Sequence, residues 1–121
     1  MTNELKKILI VDDDEAILDA LKMAISIVGY HVDVLTRGEK IFQKIREFPA
    51  DLIILDFLLP GKNGKEIASE LKSNKKTKHI PIVMISAHVS ADPASDFYAD
   101  DFLAKPFSIN DLLTSIKKFL N

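Results

Sequence analysis

The sequence predicts an α/β fold in which five parallel strands form one doubly wound sheet. Short apolar segments of strand-like composition alternate five times with amphipathic helical segments along the 121 residues. Such alternation implies right-handed βαβ crossovers and helices on both faces of the sheet. The central segment, residues 52–55, is apolar throughout, as a strand buried on both faces must be. For a chain of five strands we therefore expect the flavodoxin-like strand order 2-1-3-4-5.

Length and composition bound the classes of protein that are possible. The 121 residues leave room for one compact domain, so we expect residues 1–121 to form a single domain with no second domain. No apolar run approaches the roughly 20 residues that cross a bilayer, and the first residues lack the apolar core of a signal peptide. Because the chain has no cysteine, we expect a cytoplasmic location. A net charge of −2 gives no broad electrostatic case for binding nucleic acid or a membrane.

The first half of the chain predicts two strands, each followed by a helix. Residues 6–11 form a short strand by their β-branched content, and the helix after them ends at Gly29. Residues 31–35 alternate enough to form the second strand. Thr36 and Glu39 have the spacing of a capping box for the second helix. The apolar positions of the two helices are Ile17, Leu21, Ile25 and Val28, and then Ile41, Phe42, Ile45 and Phe48.

The central strand ends abruptly at a carboxylate. Asp56 follows the apolar run 52–55, and a loop rich in proline, glycine and asparagine comes directly after it. Asn63 and Glu66 then open the third helix. A strand that ends in this way presents its acid at the rim of the sheet.

The last part of the chain predicts two further strands and two helices. Residues 80–86 form the fourth strand, and Asp92-Pro93 begins a short helix. Residues 102–104 form a weak fifth strand, and Ser108 with Asp111 caps the final helix. The basic run before the fourth strand predicts a solvated loop rather than a nucleic-acid surface, and consists of Lys72, Lys75, Lys76 and Lys78.

Acidic residues follow the two strands between which the winding of the sheet reverses. Asp12 and Asp13 end the first strand and Asp56 ends the third, at the point where doubly wound sheets bind ligands. Like charges this close need compensation, which a hard divalent cation or Lys105, at the end of the fifth strand, could supply. Mg²⁺ (or Mn²⁺) suits a site that offers few protein oxygens. Asp14, in contrast, is explained by capping the first helix.

Four motifs together resemble the receiver domain of two-component response regulators. They cover essentially the whole chain, in the order and at nearly the spacings of that family. They are Val11-Asp12-Asp13, Leu55-Asp56 with the loop 59–64, Ile85-Ser86-Ala87, and residues 102–107.

The resemblance implies that a histidine kinase or histidine phosphotransfer protein donates a phosphoryl group to Asp56. Asp12 and Asp13 would hold Mg²⁺ together with Asp56 and the backbone carbonyl of Leu58. The other roles that the resemblance implies are Ser86 as switch hydroxyl, Phe102 as switch aromatic, Lys105 as cationic partner, and a cis peptide bond before Pro106. We expect a single receiver domain without an output domain, acting through a protein partner.

Phosphoryl transfer explains why these residue types are needed. The reaction requires positioning and neutralisation of charge on the phosphoryl oxygens more than covalent assistance. Mg²⁺, the Lys105 ammonium, and the Ser86 hydroxyl with the Ala87 backbone N–H can each take one oxygen. If Ser86 moves toward the phosphoryl group, Phe102 can turn into the space that it leaves.

Some positions depart from the family pattern or flank the acid. Between Ser86 and Lys105 the chain is shorter than usual by roughly one helical turn, so the fourth helix should be short or displaced. Tyr98 stands where small residues are common. Leu58 and His88 should flank the path of a hydrolytic water and tune the phosphoryl lifetime.

Three alternatives remain. A Mg²⁺-dependent phosphohydrolase could use Asp56 as nucleophile, although enzymes of that type often carry a second acid where this chain has Leu58. A degenerate receiver could serve only as a binding module. The chain could also be a fragment of a larger regulator or hybrid kinase.

Overall fold

A computed structural model describes residues 5–87 and 98–120 of the chain. Five parallel strands form one sheet in the order β2-β1-β3-β4-β5, which confirms the predicted fold. The strands are β1 Lys7–Val11, β2 His31–Leu35, β3 Leu52–Asp56, β4 Ile82–Ser86 and β5 Asp101–Ala104.

Four α-helices connect or follow these strands in the described part of the chain. They are α1 Glu15–Ile27, α2 Ile41–Glu47, α3 Gly64–Lys72 and the C-terminal α4 Ile109–Leu120, and a short 3-10 helix, Gly38–Lys40, precedes α2. The helix predicted from Asp92-Pro93 lies outside the described residues. Within residues 5–87 and 98–120, no helix has the length and apolar character needed to cross a membrane.

The core consists of two layers separated by the sheet. Alternate strand residues such as Leu9, Ile53 and Met84 pack under α2 and α3. Their neighbours in sequence, such as Ile10 and Ile54, pack under α1 and α4. Because both faces of β3 and β4 are covered, every residue of these two strands is buried, which explains their continuous apolar sequence.

The ends of α1 are formed by the residues that the sequence indicated. The Asp14 carboxylate accepts hydrogen bonds from the backbone N–H groups of Ala16 and Ile17, as an N-cap residue does. Gly29 follows the last turn with φ 113°, a conformation that favours glycine. Asp14 is therefore a capping residue.

Two details predicted for the first two helices are wrong. Val28 is the C-cap residue of α1 and is 45% exposed, whereas Leu18, which the sequence did not single out, is buried. Thr36 and Glu39 do not form a capping box. The chain first makes the 3-10 turn, whose N-cap residue Arg37 has no side-chain cap, and the Glu39 carboxylate pairs with Arg37.

The caps predicted for α3 and α4 are present. Glu66 N–H donates to Asn63 Oδ1 at 2.9 Å, and Asn63 N–H donates to Glu66 Oε1 at 3.1 Å. Before α4, Asp111 N–H donates to Ser108 Oγ at 3.0 Å, and Ser108 N–H donates back to Asp111 Oδ2 at 3.3 Å. These reciprocal bonds satisfy N–H groups that no helix can satisfy internally.

Candidate functional site

The acidic residues meet at the carboxyl edge of the sheet. Asp56 is the last residue of β3, and Asp12 follows β1, whose Val11 pairs with Leu55. One carboxylate oxygen from each of Asp12, Asp13 and Asp56 lies within 4.8 Å of the others. Asp12 and Asp56 are 3% and 5% exposed, whereas Asp13 is open to solvent. The cluster is therefore buried on one side and accessible on the other.

Lys105 brings the only ammonium group that pairs with these acids among the described residues. Its Nζ lies 3.5 Å from Asp56 Oδ1 and 3.8 Å from Asp12 Oδ2. Lys105 follows β5, and its backbone N–H donates to the carbonyl of Ser86 at 2.9 Å. The peptide bond between Lys105 and Pro106 is cis. Residues from three strands thus converge on one small hollow.

The two buried carboxylates of the cluster, Asp12 and Asp56, have pKa values above that of an ordinary aspartate. Burial raises the pKa of Asp56 from 3.8 to about 6, and the charge of Asp12 acts in the same direction. Lys105 and the backbone N–H of Leu58 oppose this rise. Burial also raises the pKa of Asp12, against the hydrogen bond from the Asp14 N–H and the charge of Lys105. The positive charge of Lys105 therefore offsets only part of the cost of holding Asp12 and Asp56 ionised and buried.

The donor set fits a divalent cation such as Mg²⁺. Three carboxylates supply the oxygen ligands that a hard cation prefers, and the exposed Asp13 leaves one side of the cluster open to solvent. A cation bound among the three carboxylates would also reduce the repulsion between them that Lys105 leaves uncompensated. Asp12, Asp13 and Asp56 are the residues that would hold it.

The predicted switch residues lie on β4, which pairs with the strand of Asp56, and on β5, which pairs with β4. Ser86 is the last residue of β4, is 1% exposed, and pairs in register with Ala104 of β5. Phe102 is half-buried and packs against the core layer under α2 and α3. The switch roles of Ser86 and Phe102 remain predictions.

Of the predicted residues beside the acidic cluster, the structure describes Leu58 and Ala87 but not His88. Leu58 follows Asp56 by two residues, and its side chain is 55% exposed. The Asp56 carboxylate accepts a hydrogen bond from the Leu58 backbone N–H. Ala87 is exposed directly after β4. His88 lies outside the described residues. Tyr98, where an unusual turn was expected, has φ 58°.

Gly64 lies against the strand that carries Asp56, a contact that the amino-acid sequence does not directly indicate. A Cβ at this position would lie 2.8 Å from the backbone oxygen of Asp56, 2.8 Å from Phe57 Cα and 2.9 Å from Met84 Sδ. The Gly64 N–H donates to the carbonyl of Phe57 at 2.8 Å. Only glycine lets α3 begin this close to the strand that carries Asp56. The available signal was a glycine at the first position of a capped helix.

Comparison with known protein families agrees with this geometry. The family model described as response regulator receiver domain matches residues 8–117. The chain belongs to the response regulator receiver family. It is therefore a receiver domain of the kind found in two-component response regulators.

Two curated relatives illustrate the extent of the match. The transcriptional regulatory protein GltR of Pseudomonas aeruginosa is 37% identical over 120 residues, which cover 95% of this chain and 49% of GltR. The phosphate regulon transcriptional regulatory protein PhoB of Rhizobium meliloti is 34% identical over 119 residues, covering 96% of this chain and 52% of PhoB. The chain thus spans about half the length of these relatives.

Solved structures extend the likeness to the whole receiver fold. The chemotaxis protein CheY4 of Vibrio cholerae has a TM-score of 0.88 and 26% identity, with 97% of this chain and 100% of that chain covered. The response regulator TrrA of Thermotoga maritima, solved in complex with Mg²⁺-BeF, has a TM-score of 0.85 and 32% identity, with 96% and 100% covered.

Proposed function

We propose that this receiver takes a phosphoryl group from a histidine kinase or histidine phosphotransfer protein onto Asp56, with Mg²⁺ (or Mn²⁺), and changes shape to control a partner protein. One observation carries the proposal. The Asp56 carboxylate stands at a strand end between two further carboxylates and an ammonium 3.5 Å away.

The chemistry of transfer follows from this arrangement. A carboxylate oxygen of Asp56 forms the new bond to phosphorus while the bond from phosphorus to the donor imidazole nitrogen breaks, and the imidazole keeps that electron pair. Lys105 Nζ, already within ion-pair distance of Asp56, neutralises charge on the phosphoryl oxygens. Bound Mg²⁺ supplies further charge neutralisation. The product is an acyl phosphate, a labile mixed anhydride suited to a reversible signal.

The output depends on residues of β4 and β5, the two strands that follow β3 in the sheet. We infer that the Ser86 hydroxyl and the Ala87 backbone N–H bind one phosphoryl oxygen. A displaced Ser86 makes room for Phe102, which packs on the core layer beneath α2 and α3. A local change of charge thereby biases an element with two arrangements.

Leu58 and His88 tune the lifetime of the acyl phosphate in this proposal. The exposed, apolar Leu58 side chain stands two residues beyond Asp56, where it can exclude a hydrolytic water. His88 stands two residues beyond Ser86 in the sequence, and from that position alone it is expected either to oppose the effect of Leu58 or to shield the phosphoryl group.

Incubation with acetyl phosphate and Mg²⁺, followed by intact mass spectrometry, tests the proposal. We expect the added mass of one phosphoryl group on the protein and none on Asp56→Asn. Asp19→Asn, which removes the same charge from an exposed position of α1, is the matched control and should accept the group normally. Phosphoryl uptake by Asp56→Asn equal to that of the control would refute the assignment.

The alternative, that the protein is a phosphohydrolase, is tested with the same wild-type protein and Asp56→Asn variant. It requires catalytic turnover of a phosphate ester, and enzymes of that type often use a second acid where this chain has the apolar Leu58. We expect no turnover. Sustained release of phosphate, lost in Asp56→Asn, would favour the hydrolase instead.

A further inference from the structure

A second cavity lies between α2 and the loop that joins α3 to β4. It has a volume of about 290 Å³ and is lined by Phe42, Ile45, Arg46, Asn74, Lys76 and Thr77. Helices in βαβ units run antiparallel to the strands, so the C-terminal turns of α2 and α3 lie at the amino edge of the sheet. The cavity is therefore remote from Asp56, and no residue of the acidic cluster lines it.

The apolar wall of this cavity belongs to the core. Phe42 is half-buried and Ile45 is 9% exposed, and both pack with the layer under α2 and α3. The Phe42 ring offers a surface on which a planar group can stack.

The opposite wall is a loop held in place by its own hydrogen bonds. The buried Thr77 hydroxyl donates to the carbonyl of Leu71 at 2.7 Å. The Asn74 side-chain oxygen accepts from the Lys76 N–H at 2.9 Å, and its backbone carbonyl accepts from the Lys78 N–H at 2.8 Å. These contacts fix the loop, so the cavity has two defined walls.

The cavity carries two positive charges that the described residues leave unpaired. Lys44 and Lys72, on the same two helices, pair with Asp33 and Asp100 at 2.7 Å each. Neither Arg46 nor Lys76 forms an ion pair within residues 5–87 and 98–120.

The acid next to Arg46 in the sequence does not compensate this charge. Glu47 lines a separate groove on the other side of α2, beside Lys44. The cavity therefore combines an aromatic surface, a guanidinium and an ammonium, without a lining carboxylate.

We propose that this cavity binds a small phosphorylated aromatic molecule of mononucleotide size. Its volume is close to the lower limit of about 300 Å³ for small-molecule sites. The planar Arg46 guanidinium can bind two phosphate oxygens at once, and the Lys76 ammonium can add a third contact. The ring of the ligand would lie against Phe42 and Ile45.

Titration of the ¹⁵N-labelled protein with AMP in EDTA tests this site, because EDTA prevents a metal at the acidic cluster from attracting the phosphate. We expect saturable shifts of the amide signals of residues 42–46 and 74–77, with those of Leu58 and Lys105 unchanged. Arg46→Gln/Lys76→Gln should weaken binding by about tenfold or more, since it removes the charged hydrogen bonds to phosphate. Both side chains are exposed, so the variant should fold.

Lys75→Gln/Lys78→Gln is the matched control, because it removes two charges from exposed positions of the same loop that do not line the cavity. It should bind AMP with nearly the affinity of the wild-type protein. Equal weakening in both double variants, or no saturable shift, would overturn the proposal. Adenosine or inorganic phosphate binding as tightly as AMP would overturn it as well. Asp56→Asn should bind AMP unchanged, which separates this test from that of phosphoryl transfer.

Discussion

At the scale of single residues, the proposed phosphoacceptor Asp56 carries a charge that its surroundings disfavour. Its folded pKa of about 6 lies above the ordinary 3.8, because burial and the charge of Asp12 both disfavour the carboxylate. The folded state therefore holds the proton more tightly than the unfolded chain. As the pH rises from 3.8 to about 6, this group progressively destabilises the metal-free fold, and above that range the full penalty is present.

Asp56→Asn should consequently be more stable than the wild-type protein without metal. The difference of about two pKa units corresponds to at most about 3 kcal/mol, so we expect a gain of about 1–3 kcal/mol at neutral pH. Urea unfolding in EDTA at pH 7.5 and 4.5 measures it, and the gain should shrink at the lower pH. Asp19→Asn should show no such gain. A variant less stable than wild type at pH 7.5 would contradict this account of the Asp56 charge.

Leu58 allows a test of the lifetime without disturbing the core, because its side chain is exposed. Leu58→Asn removes the apolar cover and offers hydrogen bonds to an attacking water. We expect the phosphorylated protein to lose its phosphoryl group several-fold faster at fixed Mg²⁺, as a barrier lower by about 1 kcal/mol would produce. Decay of the phosphorylated mass over time gives the half-life, and an unchanged value would end the idea.

At the scale of elements, the connection from β3 to α3 sets the position of Asp56. The Asn63–Glu66 capping box fixes where the helix begins, and Gly64 lets its first turn approach the backbone of Asp56 and Phe57. Neither contact involves the phosphoryl site directly. Together they determine where the carboxylate at the end of the strand lies.

Gly64→Ala should therefore affect both stability and phosphoryl uptake. The new Cβ meets backbone atoms at 2.8 Å, which cannot move as a flexible side chain would. We expect a loss of about 1–3 kcal/mol in unfolding free energy, as for overpacking, and slower phosphorylation by acetyl phosphate. Lys65→Ala, on the exposed side of the same turn, should change neither. Wild-type rates in Gly64→Ala would show that this close approach does not position Asp56.

β5 shows how consecutive residues fix an edge strand to its surroundings. Asp100 Oδ2 accepts from Lys72 Nζ at 2.7 Å and from the Ile82 N–H at 2.8 Å. Asp101 Oδ2 accepts from Ser115 Oγ at 2.6 Å and from Lys118 Nζ at 2.9 Å. The start of the strand is thus tied to α3, β4 and α4, which places Lys105 at its other end.

At the scale of the whole molecule, the sequence predicted strand order and the gathering of the acids, because both follow from periodicity and topology. Continuous apolar runs identify buried strands, and the reversal of winding brings Asp12 and Asp56 to one edge. The sequence could not predict that Val28 is exposed or that Thr36 does not cap α2. Val28 stands at the C-cap of α1, and Arg37 pairs with Glu39 in the 3-10 turn before α2, so both outcomes depend on local geometry at a helix end that apolar periodicity does not encode. The close approach of Gly64 was equally invisible, since it depends on a neighbouring strand.

The site also makes a prediction about the stability of the complete fold. Three carboxylates and one ammonium come from elements spread over the whole chain, so a divalent cation bound among them would link β1 to β3 and relieve their repulsion. A ligand that binds only the folded state stabilises it by about 2.7 kcal/mol at a hundred times its dissociation constant. We therefore expect Mg²⁺ to raise the thermal midpoint of the wild-type protein at pH 7.5.

Two comparisons separate metal binding from a general salt effect. Protons compete with the cation for Asp12 and Asp56, whose pKa values are raised, so the Mg²⁺-dependent shift should be smaller at pH 5 than at pH 7.5. Asp13→Asn should lose most of the shift while keeping the fold, because Asp13 is exposed, whereas Asp19→Asn should retain it. Differential scanning calorimetry at constant ionic strength measures the midpoints. If Asp13→Asn and Asp19→Asn respond equally to Mg²⁺, the acidic cluster is not where the metal acts.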